Sequence, residues 1–96
     1  MEKAKLDVSL TVTFLREGDQ FVAYSPALDL STAGNTLELA KKRFNEAAQI
    51  FFEETVNKNT LPEVLTELGW QKSNRHWLPP TVVGQSLETV RIPLPA

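Results

Sequence analysis

Three carboxylates in the first half of the chain, Asp7, Asp29 and Glu38, are the groups nearest to a catalytic set. Carboxylates that converge can hold two divalent ions, which position an attacking water and the leaving oxygen in phosphodiester hydrolysis. Here they are few and dispersed. Asp7 points off the apolar side of an alternating segment, Asp29 falls in a short strand, and Glu38 falls in the first turn of a helix. Acids at a strand start and at a helix N-terminus have ordinary structural explanations. His76 is the only histidine and sits between Arg75 and Trp77. Without a second His, a Cys or a nearby acid it is a poor metal ligand, and surface packing suits it better than acid–base work. The chain has no cysteine, so disulfides, thiol nucleophiles and thiolate zinc sites are excluded. The expectation is a non-enzyme with no cofactor and no metal.

Trp70 and Trp77 bracket Lys72 and Arg75. Aromatic rings interleaved with basic groups can stack nucleobases. Packing over the far side of the sheet, or against a second helix, is the preferred reading. Trp and Arg are enriched at protein-binding hot spots, which makes Trp70, Arg75 and Trp77 candidates for contact with a partner. The one basic run, Lys41 to Arg43, reads as a solvated helix turn. A net charge of −2 and a sequence pI near 5.3 argue against non-specific binding to nucleic acid or a membrane surface, which normally needs a basic excess.

The elements that must position these groups follow from hydrophobic periodicity. Leu6, Val8, Leu10, Val12 and Phe14 alternate with Asp7, Ser9, Thr11 and Thr13, the period of a strand with one buried face. Arg16 to Gln20 carries Gly18 and reads as a hairpin turn, followed by a strand from Phe21 to Tyr24. Pro26 ends regular pairing, and Leu28 to Thr32 forms a third strand. Gly34 permits a tight exit, and Thr36 or Asn35 caps a helix running from about Leu37 to Val56. Its apolar stripe is Leu37, Ala40, Phe44, Ala47, Ala48 and Phe51. Such a helix is roughly 30 Å long and a strand from Leu6 to Leu15 roughly 33 Å, so the helix is expected to cover the whole meander.

Leu61 to Leu68, with Pro62 near its start and Gly69 after it, reads as a short second helix. For residues 70 to 88 the sequence leaves open a small hairpin turning at Ser73-Asn74 or an irregular path. Thr89 to Leu94 is expected as a last strand with Pro93 at its edge. If it pairs parallel beside the first strand, the crossover should be right-handed. The expected class is α+β, a single domain over residues 1–96. A β-β-β-α-β order of this kind, with a three-strand meander under one long helix, is an incomplete ribonuclease H-like sheet. With no secretory signal or membrane-spanning run, the chain reads as cytoplasmic. At this length the core is modest, which favours self-association as a homodimer or larger homo-oligomer.

The stretch from residue 21 to 40 carries one further signal. Pro26, Leu28, Asp29, Gly34, Thr36, Leu37, Glu38 and Ala40 stand in an order that resembles the HicB-like antitoxin family. In that family a strand ends in Pro, Leu-Asp and a small polar strand follow, and Gly-x-Thr leads into a helix with Ala in its first turn. The preceding hairpin and the Glu46-Ala47 pair agree, so the resemblance covers roughly residues 6 to 56, and LTELGW from Leu65 to Trp70 is compatible with it. It implies a binding protein that neutralises a small HicA-type, RNA-cleaving toxin by masking its active face. Many members also carry a C-terminal DNA-binding segment; none is evident here after residue 57, which puts DNA binding in doubt. The alternative is an orphan, homo-oligomeric interaction module with no toxin. One departure stands out: Leu39 occupies a position where the family commonly has Glu. On a helical wheel Leu39 lies off the core stripe, near Ile50 and beside Arg43. Leu39, Arg43 and Ile50 are therefore further partner-binding candidates, unless the 61–85 segment packs on that flank.

Overall fold

A computed structural model describes residues 7–95. The chain is α+β. A three-stranded antiparallel sheet, β1 (Thr13–Glu17), β2 (Gln20–Ser25) and β3 (Leu30–Gly34), has the order β1-β2-β3. The long helix α1 (Leu37–Asn57) and the short helix α2 (Leu61–Glu67) follow, and β4 (Gln71–Ser73) and β5 (His76–Leu78) form a separate two-stranded hairpin.

The first ladder is shorter than the alternation suggests, and Leu6 lies outside the described residues. Pairing begins at Thr13, opposite Tyr24, and closes with Glu17 opposite Gln20. The reason is the partner's length: β2 stops at Ser25 before Pro26, so residues 7–12 run past it and join no ladder. The turn is Gly18-Asp19, with Gly18 at φ +58°, the left-handed conformation that glycine supplies at the first central position of a two-residue hairpin loop. β3 starts two residues later than its apolar pattern implied. Pro26 to Asp29 is spent on a turn in which the Asp29 N–H donates to the Pro26 carbonyl at 3.3 Å and Asp29 adopts φ +48°.

Of the apolar row expected along the first strand, Leu10 and Val12 pack on the buried clusters, whereas Val8 and Phe14 are 38% and 39% exposed. Register places Phe14, Ala23 and Thr32 in one cross-strand row. Ala23 packs with Ala40 and Phe44 of α1, joined by Val12, Phe21 and Leu30. α1 starts where expected, on Thr36, whose Oγ1 accepts the Leu39 N–H at 3.0 Å. It ends at Asn57 with Lys58 as C-cap, and Asn59 beyond it adopts φ +56° while the Thr60 N–H reaches the Thr55 carbonyl at 2.9 Å, the pairing of a left-handed helix C-terminus. Within the stripe Leu37 is exposed, while Phe52 and Thr55 join the inner side.

At 21 residues the helix spans about 31 Å, well past a five- or six-residue ladder. Its second half therefore covers something else. Ala27 and Leu28 of the turn, Leu65 of α2 and Trp70 form a second buried cluster, against which Leu10, Phe51, Phe52, Leu61 and Trp77 pack. The 61–78 region thus sits on the helix side of the sheet. It packs there with Phe51 and Phe52 and not on the face carrying Thr13.

No late strand returns to the sheet. From Pro79 to residue 95 the described chain has no ladder, and Val90, Ile92 and Leu94 are 78%, 75% and 82% exposed. The β-β-β-α-β arrangement is thus incomplete by its last strand. Two prolines, Pro93 and Pro95, remove donors that a strand paired on both sides would need.

Candidate binding surface

The β3–α1 connection is built for closeness. Gly34 is buried. A methyl group there would sit 2.8 Å from the Ala40 backbone nitrogen and 3.0 Å from Leu39 Cβ and Cγ. Gly34 serves close approach and not positive φ. Thr32 Oγ1 donates to the Ala40 carbonyl at 2.9 Å, a second tie between the sheet and the helix's first turn. Arg43 Nη1 donates to the Ala33 carbonyl at 2.7 Å, so its guanidinium covers the outer edge of β3.

The six candidate residues do not form one site. Leu39 is half-buried beside Gly34, Arg43 is exposed and anchored on Ala33, and Ile50 is 54% exposed further along the same helix flank. These three form a strip along the β3 side of α1. The 61–78 region packs with Phe51 and Phe52, and Ile50 on this flank is left exposed. Arg75 is exposed in the turn of the β4–β5 hairpin, beside Asn74 at φ +58°; the turn lies one residue later than the Ser73-Asn74 reading. Trp77 is half-buried, with the Lys72 ammonium 5.7 Å from its ring centroid.

Trp70 is a core residue and is withdrawn as a contact candidate. It is 4% exposed, its Nε1–H donates to the Ala27 carbonyl at 2.7 Å, and its ring meets Phe52 edge-on. It pins α2 to the Pro26–Asp29 turn. The two tryptophans accordingly make no paired stacking platform for bases.

The carboxylates are scattered. Asp29 accepts the Tyr24 hydroxyl at 3.1 Å. Asp7 and Glu38 are exposed. Among the described residues no three His, Asp or Glu side chains are grouped to hold a metal ion. The Tyr24 phenol is held above its ordinary value, first by its hydrogen bond to Asp29, then by desolvation and by the carboxylate's charge.

A second surface was not anticipated. Leu15, Val22 and Ala33 lie side by side across the three strands on the face away from α1. Leu15 is 45% exposed and Ala33 is exposed. The signal was present in Phe14-Leu15, where two successive apolar residues break the alternation and one must face outward.

No family model, no curated protein and no solved structure matches the chain. Among the described residues no helix is long and apolar enough to cross a membrane.

Proposed function

We propose that this protein is a non-catalytic binding protein of HicB-like character, which neutralises a small HicA-type RNA-cleaving toxin by direct contact. The observation that supports the reading best is the β3–α1 junction. The residues that carry the sequence resemblance, Gly34, Thr36 and Ala40, do local structural work that fixes α1 on the sheet. A helix so fixed presents Arg43 and Ile50 on a strip that needs no ordering before a partner binds, which lowers the cost of association. Arg75, exposed, and Trp77, half-buried, on the β4–β5 hairpin are the further contact residues of this proposal. The partner is expected to be small and basic, matching the acidic balance of this chain.

The test is recovery of the tagged full-length chain from its native cells, with mass spectrometry of what accompanies it. A small basic protein in near-stoichiometric amount, weakened at least about tenfold by Ile50→Glu, is the expected result. Recovery of the chain alone contradicts stable toxin binding. The second reading, a homo-oligomeric module without a toxin, is favoured by one observation, the exposed apolar segment after Pro80.

A further inference from the structure

The two edges of the main sheet differ. On β3 the Ala33 carbonyl points outward and is taken by Arg43. Backbone groups alternate in direction along an antiparallel strand, which fixes the rest. Thr32 and Ala23 exchange hydrogen bonds, Val22 turns toward β1 and pairs with Leu15, and Phe14 and Arg16 turn their N–H and C=O groups outward. Among the described residues nothing pairs with that edge, nor with the unladdered residues 7–12 that lead into it. Phe14 is 39% exposed.

The same chain carries an unpaired strand-like segment. Residues 81–95 are exposed throughout, and fifteen residues can reach about 50 Å. The molecule measures 66 × 29 × 24 Å, with a radius of gyration of 16.8 Å against about 12.5 Å for a compact chain of this length. In this arm Val90, Ile92 and Leu94 alternate with Thr89, Arg91 and Pro93.

We propose that the arm of one copy adds as an antiparallel strand to the β1 edge of a second copy, and that two copies do so reciprocally. Three features of the arm fit. Pro93 and Pro95 share parity, so both can face outward from the added strand, where no N–H is needed. The residues that then aim their backbone groups at the edge are Val90, Ile92 and Leu94. In an antiparallel pair, residues that exchange hydrogen bonds stand directly opposite and share a face. Opposite Val12, Phe14 and Arg16, the three apolar side chains therefore fall on the α1 side of the sheet. A parallel addition with the prolines outward would send them to the other face. Arg91 then lies on the face that carries Glu17, its opposite charge. Every copy offers one arm and one edge, so two copies close on each other and leave neither free.

This inference does not rest on toxin binding and is tested on the purified chain alone. Sedimentation equilibrium should show a dimer. Ile92→Pro removes an N–H aimed at the edge and should raise the dimer dissociation constant about tenfold or more. Arg91→Pro alters an outward position and should leave the dimer in place. Both changes lie outside the packed clusters, and helical circular dichroism should not change. A monomeric wild-type chain, or a dimer indifferent to Ile92→Pro, overturns the proposal. Equal losses in both variants overturn the alignment with the prolines outward.

Discussion

Tyr24 and Asp29 show how one contact leaves a measurable mark. The turn that follows Pro26 puts Asp29 at φ +48°, a conformation Asp tolerates better than most residues, and from there its carboxylate accepts the Tyr24 hydroxyl. The phenol is consequently raised above 10.0. The raised value means that the protonated phenol is favoured in the folded state. Its contribution is complete at neutral pH and is lost only as pH climbs through the raised value. Tyr24 is the only tyrosine, so tyrosinate absorbance at alkaline pH reports it alone. Asp29→Asn should bring the midpoint down toward that of a free phenol. An unchanged midpoint would mean that the Asp29 carboxylate does not set it. Trp70 makes the same point about packing: its indole N–H satisfies a buried carbonyl 43 residues away in sequence, a partner that no local pattern announces.

At the scale of elements, the β3–α1 junction is where sequence and structure agree most closely. Gly34 and Thr36 were legible because close approach and capping are local demands on local residues. Gly34→Ala should destabilise the fold by about 1–3 kcal/mol, because the methyl group meets the Ala40 backbone nitrogen as well as Leu39 Cβ and Cγ, and the helix backbone cannot rotate away. Urea unfolding with an unchanged slope would measure it; a midpoint equal to wild type would refute the close packing. The long helix and the hairpin of β1 and β2 were readable for the same local reason. The start of β1 was not, since the alternation continues to Val8 while the partner strand stops at Ser25. A strand ends where its partner ends, and single-strand periodicity carries no trace of that. The same limit explains the late strand. Thr89 to Leu94 has a strand's alternation, yet among the described residues nothing pairs with it. Of the candidate contact residues, Ile50, Arg43 and Arg75 are on the surface, while Trp70 packs beside Leu65 of α2, in line with the preferred reading of packing against a second helix.

The whole molecule is a small body with two buried clusters, one beneath Ala23 and one around Leu65 and Trp70, and an arm that adds nothing to either. Its apolar surface is concentrated on the helix flank, the open sheet face and the arm. These surfaces bear on the proposal that the chain acts by masking a partner and not by chemistry of its own. The most direct test is neutralisation: the small protein recovered with the chain is freed of it and given a reporter messenger RNA. The account predicts cleavage of the RNA, suppressed when the wild-type chain is added back in equal amount and restored toward the uninhibited level with Ile50→Glu. A recovered partner that leaves the RNA intact, or whose cleavage continues unchanged in the presence of the wild-type chain, would contradict it.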